Sequence, residues 1–225
     1  MKLELEENGK IVVVFNKTAS HNVDPQKGFT PLCPAELPVP DGDNIVDELN
    51  GQNKLAKYKT VSKDVHPINA IWRATESKPQ FSVVGEKNVD IRWNAHCESG
   101  TYGVELLDGL PKMIEYDYFL AKGFEPDMHP YSSCYHDLEK KISTGLIEWL
   151  NSKKISTVIV GGLATNYCAG ESCIDLSNAG FQVIFNLGAC RGIGTEEEIE
   201  SYVNMLVDKY NVLVVYSYKD IEVIN

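Results

Sequence analysis

The chain lacks any CxxC pair among its six cysteines, Cys33, Cys97, Cys134, Cys168, Cys173 and Cys190, so no disulfide framework is expected. It has no run approaching the roughly 18 apolar residues that a bilayer crossing requires. Its opening, MKLELEENGK, has neither a basic n-region nor a long apolar h-region. Together these absences place the expected location in the cytoplasm, with reduced thiols. Positive charge is also scarce: 21 Lys and Arg stand against 32 Asp and Glu, for a net charge of −11. Most of such a surface would repel a polyanion, which argues against nucleic acid or an anionic membrane as partner and leaves a small molecule. What is present is enough apolar material, 43% of 225 residues, to fill one large core, and a single domain over 1–225 is expected.

Along the chain, LELE, ENGK and IVVVF read as an N-terminal β-hairpin over residues 1–16, with Asn8 and Gly9 at its turn. Residues 18–23 are a candidate strand, though a polar one; Pro25 biases the Asp24 that follows toward an extended conformation. Beyond a proline-rich loop, residues 43–55 suit a helix. Residues 58–63, 116–121, 157–161, 182–186 and 212–216 suit strands, and helices at about 137–152, 166–179 and 195–209 fall among them. This alternation implies an α/β three-layer sandwich: a mostly parallel, Rossmann-like sheet of about six strands, flanked by helices, with its site at the C-terminal strand ends. Residues 67–115 mix Gly, Pro and charge without a period, and so long a loop in a compact domain is usually functional.

Three sets of residues carry candidate chemistry. Cys168 falls in the first turn of a helix directly after the buried strand that begins at Thr157, with Thr165 or Asn166 available as a cap. Ala169, Cys173, Leu176 and Gly180 form the buried stripe of that helix, and Cys168 lies off it. At a helix N-terminus a thiol ionises more readily, although free cysteine also serves as a small apolar core residue. In SKDVHP, Asp64 and His66 are two apart on extended chain and so point to one side, where they could share a metal ion with a distant His96. The alternative is a surface Asp-His hydrogen bond with His96 packed elsewhere. Asp24 and Lys122 follow two other presumed strands, so an acid, a lysine and a cysteine converge on one sheet edge.

Five segments in order, VDPQKGF with LPVPDGD, SKDVHP, WNAHCESGTYG, KGFEPDMHPYS, and VGGLATNYCAGESCIDLSNAGF ending in ACRGI, carry a resemblance. From Val23 to Gly194 the chain resembles the nicotinamidase and pyrazinamidase group within the isochorismatase-like cysteine hydrolases. The resemblance implies Cys168 as nucleophile, Asp24 as general base and Lys122 as the cation holding the pair. It implies one divalent ion on Asp64, His66 and His96, zinc before iron or manganese, with water completing the shell and the substrate's pyridine nitrogen as a further ligand. Phe29, Trp93 and Tyr131 match positions lining the ring pocket, where flat rings suit a planar heteroaromatic amide. Leu163-Ala164 matches a cis peptide, with the amides of Ala164 and Cys168 as an oxyanion hole. The implied reaction converts nicotinamide to nicotinate and ammonia through a thioester, without an organic cofactor, in NAD salvage, with pyrazinamide a second substrate.

Departures from the family pattern are legible too. Gly28 stands where an acid is usual, Ala70 lies where some relatives carry an extra histidine, so that three protein ligands are expected, and Asn94 replaces a proline. The segment between His66 and His96 is longer than in compact relatives. Two rival readings stand beside the first: a cysteine amidase of the superfamily acting on another amide, and a silent metal-binding domain. The apolar strand 11–15 suits pairing between subunits or the cover of a sheet edge, and a homo-oligomer is expected.

Overall fold

The computed structural model describes residues 9–225. In chain order its strands and helices are β1 (Ile11–Val14), β2 (Thr18–Val23), α1 (Val46–Asn53), β3 (Tyr58–Asp64), β4 (Val83–Glu86), β5 (Val89–Ile91), β6 (Tyr118–Lys122), α2 (Leu146–Ser152), β7 (Thr157–Leu163), α3 (Gly170–Asn178), β8 (Gln182–Arg191), α4 (Glu196–Tyr210), β9 (Leu213–Val215) and β10 (Ile221–Ile224). Six strands make the central sheet, in the order β6-β3-β2-β7-β8-β9, and every pair in it is parallel. This is the expected three-layer α/β arrangement.

Because side chains alternate along a strand, the apolar run of β7 feeds both faces. Val158 and Val160 join Val183 and Phe185 in a core closed by Leu146 and Leu150 of α2, Leu176 of α3 and Leu206 of α4. Ile159 and Ile184 face the other way, into a cluster with Ile11, Val13, Val215 and Ile221. That second face is shared by α1, whose Leu49 is fully buried, and a two-stranded sheet of β1 and β10.

This small sheet gives the N-terminal strand a partner that its sequence did not name. Ile11–Val14 pairs in parallel with Ile221–Ile224 of the same chain, and Phe15 belongs to the 3-10 turn that follows. The first arm of the expected hairpin, in residues 1–8, lies outside the described residues. The expected helix over 137–152 also contracts to Leu146–Ser152. Asp137 turns the preceding segment by accepting hydrogen bonds from the amides of Lys141 and Ile142, and Gly145 sits at φ +85°, where a helix cannot begin earlier.

The most polar strand, β2, is also among the most buried. Its polar groups are answered pairwise: Ser20 by Asn53, Asn22 by Gln52 and Tyr116, and His21 by Thr60 and Ser133. Within the irregular region, β4 and β5 form an antiparallel ribbon. It leans over the C-terminal edge of the sheet: the carbonyl of Asn88 accepts from the amide of His129, and Asp90 accepts from the hydroxyl of Tyr131.

Candidate active site

Four adjacent strands, β6, β3, β2 and β7, end on one edge, and each delivers one group. Asp64 and Lys122 are register partners at the ends of β3 and β6, Asp24 follows β2, and Cys168 follows β7 after one turn. Lys122, fully buried, centres the group. Its Nζ lies 2.5 Å from Asp64 Oδ1, 3.1 Å from Asp24 Oδ2 and 3.6 Å from Cys168 Sγ, and donates to the carbonyl of Pro130 at 3.2 Å. Ser62 donates to Asp24 Oδ1 at 2.6 Å. The three sequence-derived catalytic candidates are therefore brought together.

Their protonation follows from burial and charge. Burial alone would lower the Lys122 ammonium, yet Asp24 and Asp64 hold it well above the usual lysine range. Burial pushes Asp24 up against the pull of Lys122, with Asp64 adding to the rise. For Asp64 burial acts upward too, but Lys122 and His66 outweigh it and keep the carboxyl below the usual range. Burial drives the Cys168 thiol well up, more than Lys122 draws it down, and Asp24 and Asp64 add to the rise. The expectation of a readily ionised thiol is thereby corrected. Cys168 is also buried, not set apart from the core, because it packs in the same cluster as Ala169 and Cys173. Neither Thr165 nor Asn166 caps a helix: Cys168 sits in a π-helical turn, Thr165–Ala169, and the Asn166 side chain instead ties down Ile193. Gly180 is exposed beyond the end of α3.

Next to this group stand the metal candidates. His66 donates from Nδ1 to the Gly123 carbonyl at 3.0 Å, and His96 from Nδ1 to the Asn94 carbonyl at 2.6 Å. A carbonyl can only accept, so each ring donates from Nδ1 and leaves Nε2 as the atom available to a metal. His66 Nε2, buried and without a hydrogen-bond partner, faces Asp64 Oδ2 at 3.5 Å. Burial pushes His96 down to about 3, with His66 adding to the fall. His129, absent from the sequence-derived set, brings a ring nitrogen within 4.8 Å of those of His66 and His96. Its sequence signal was a histidine within the recognised KGFEPDMHPYS segment, in a chain with Ala70 where another histidine could have stood. The donors fit a metal ion: imidazoles and a carboxylate, buried, with unpartnered nitrogens on His66 and His129. Cys97 stays out of it, since burial keeps its thiol protonated and its Sγ points to the Gly103 carbonyl.

Gln26, also missed, clamps two of the strand ends. Its side chain donates to the Asp64 carbonyl at 2.8 Å and accepts from the Asp64 amide at 2.7 Å. Gly28 makes room rather than a gap: a Cβ there would collide with the carboxylate of Glu36, which accepts from the Cys97 amide at 2.8 Å. An acid from another loop thus occupies the space beside position 28.

The cleft between thiol and histidines is walled by Phe29, Trp93, Tyr131, Tyr167, Ala164 and Leu37. Trp93 donates from Nε1 to the Tyr131 hydroxyl at 3.2 Å and meets Tyr167 edge-on at 4.9 Å. Phe29 lies 5.2 Å from the ring of His96. Leu163 is buried beneath this cleft, and the Leu163-Ala164 peptide is cis. Tyr167 was not singled out in sequence, since an aromatic beside a cysteine has no periodic signature.

A family model described as the isochorismatase domain matches residues 22–214. The chain belongs to the isochorismatase family. It is 30% identical to a nicotinamidase of Acinetobacter baylyi over 79% of this chain and 83% of that protein. Its fold superposes on an Acinetobacter baumanii nicotinamidase and pyrazinamidase with a TM-score of 0.82, at 27% identity, covering 91% of this chain and 98% of that one. A pyrazinamidase of Pyrococcus horikoshii, solved in complex with zinc, gives a TM-score of 0.69 at 26% identity, covering 88% and 98%. Among the described residues, no helix is long and apolar enough to cross a membrane.

Proposed function

We propose that this protein is a nicotinamidase, hydrolysing nicotinamide to nicotinate and ammonia, with pyrazinamide a second substrate. The observation that carries the reading is Lys122 Nζ placed 3.1 Å from Asp24 and 3.6 Å from Cys168, beside a histidine cluster and under an aromatic wall. The names of the relatives at 27–30% identity agree with it.

The protonation states define the sequence of steps. The thiol rests protonated, so attack on the carboxamide carbon is coupled to proton transfer onto Asp24, whose raised basicity suits that role. Lys122 stays charged throughout and stabilises the anionic partners. The amides of Ala164 and Cys168 are the donors assigned to the oxyanion; losing one such donor typically costs on the order of a hundredfold in rate. Asp24 returns its proton to the departing nitrogen, ammonia leaves, and Cys168 carries a thioester. Water then gives a proton to Asp24 as its oxygen adds to the thioester carbon; the C–S bond breaks, Asp24 returns that proton to the departing sulfur, and nicotinate leaves with the remaining acid proton passing to ammonia or solvent.

The ion is assigned to Asp64, His66 and His96, zinc first on the nitrogen-rich donor set, with iron or manganese the alternatives. When bound it supplies a Lewis-acidic point for the pyridine nitrogen and for water. The chain's own residues do the rest: Phe29, Trp93 and Tyr131 hold the ring flat, and the cleft turns the carboxamide toward Cys168. No organic cofactor is needed, and the setting is NAD salvage.

The test is ammonia and nicotinate release from nicotinamide by purified protein, before and after chelation and metal add-back. Turnover lost on chelation and restored by metal is expected. Release indifferent to metal would favour an amidase of another specificity, and no release from any amide would leave the silent-domain reading.

A further inference from the structure

We infer that His129 is a fourth protein ligand to the ion, so that this chain surrounds its metal with three imidazoles and one carboxylate. The inference rests on the metal-dependent reading above and goes beyond it in ligand set and in the segment that supplies the ligand.

Both ring nitrogens of His129 are buried and lack any hydrogen-bond partner, while the residue is 3% exposed. A buried polar group normally has a partner, and an imidazole with two unpaired nitrogens is the exception that calls for an unseen one. One of those nitrogens lies within 4.8 Å of nitrogens of His66 and His96, and the His129 ring stacks on His66 at 5.3 Å and 22°. Three imidazoles pressed together, with His66 Nε2 and both His129 nitrogens unpartnered, gain nothing from one another, whereas a single cation between them satisfies all three. Asp64 divides its two oxygens: Oδ1 takes Lys122, and Oδ2 faces His66, 3.5 Å from its Nε2.

The placement is held from outside. Trp72 meets the His129 ring edge-on at 4.5 Å, and the His129 amide donates to the Asn88 carbonyl at the tip of the β4-β5 ribbon. The two residues that follow serve the same cleft: the Pro130 carbonyl accepts from Lys122, and Tyr131 donates to Asp90 of the ribbon. The long insertion between His66 and His96 thereby fixes the segment that brings the fourth donor. With four protein donors, fewer positions remain for water than a three-residue set leaves.

The test uses the full chain and the metal alone. Zinc affinity is measured by chelator competition for wild type, His129→Ala, His129→Gln and His96→Ala, with circular dichroism checking each fold, and the Co(II)-loaded proteins are compared by visible absorption. Expected is a loss of tenfold or more in zinc affinity for both His129 variants, a changed Co(II) band, and restoration of that band in His129→Ala by added imidazole. Zinc affinity and a Co(II) spectrum equal to wild type in both His129 variants would overturn the assignment while leaving the three-ligand site intact. Weakened zinc binding with an unchanged Co(II) band that imidazole does not affect would likewise overturn it, in favour of a packing role. If wild type itself binds no zinc or cobalt, the metal-dependent reading falls first and this inference with it.

Discussion

The central strand of the sheet predicts a specific acid sensitivity. His21 is fully buried in β2, its ring nitrogens 2.8 Å from Thr60 Oγ1 and 2.7 Å from Ser133 Oγ, and burial pushes its pKa down to about 3. In the unfolded chain the same imidazole titrates near 6.5. Between those values the unfolded state binds a proton that the folded state refuses, so stability rises with pH there and is lost as pH falls. At pH 5 the difference is about 1.5 units, worth about 2 kcal/mol at 1.36 kcal/mol per unit. Other groups bind protons over this range in the unfolded chain too. The measurement is therefore a double difference: urea unfolding of wild type and His21→Gln at pH 7.5 and pH 5.0. Wild type should lose about 2 kcal/mol more than the variant across that interval. Equal losses would refute the claim that His21 is held neutral. The consequence reaches the site, because Ser133 Oγ also lies 2.9 Å from Ser172 Oγ, and Ser172 donates to the carbonyl of Cys168.

Cys168→Ala should lower ammonia release by about a thousandfold or more while zinc content and circular dichroism stay at wild-type values, since only the nucleophile is removed. Lys122→Met leaves Asp24 and Asp64 buried without their cation; unfolding in urea should show a loss of about 3–5 kcal/mol together with lost turnover. Gly123→Ala places a methyl group 2.5 Å from the His66 ring, so a fall in zinc affinity is expected by chelator competition, with Cys168 untouched. Thr195→Ala removes the capping box of α4 and should cost about 1 kcal/mol in stability, read by urea unfolding.

What could be read from sequence divides along physical lines. An apolar run bounded by turns located β7 and the start of β8, because a strand buried on both faces has a composition no loop shares, while β8 runs five residues beyond its expected end, to Arg191. The capping box opening α4 is equally local, and the expected start near residue 195 falls on it. Residues 18–23 read as a strand, but their polarity hid that the strand is central: its partners, Gln52, Asn53, Thr60, Tyr116 and Ser133, lie 30 to 112 residues away, and only the fold reveals that these hydrogen bonds are met. The Ile11–Val14 strand shows the same limit, since alternation marks a strand and says nothing of a partner at Ile221–Ile224. At the site, residues at strand ends were accessible, because a parallel sheet brings those ends to one edge whatever the loops do. His129 sits on a loop, where no period constrains the side chain, and its position depends on Asn88 of a ribbon 41 residues earlier. The long insertion was legible as an irregularity and its purpose was not. Through backbone and side-chain hydrogen bonds it holds His129 and Tyr131, which places the least patterned part of the sequence in charge of the geometry around the candidate metal.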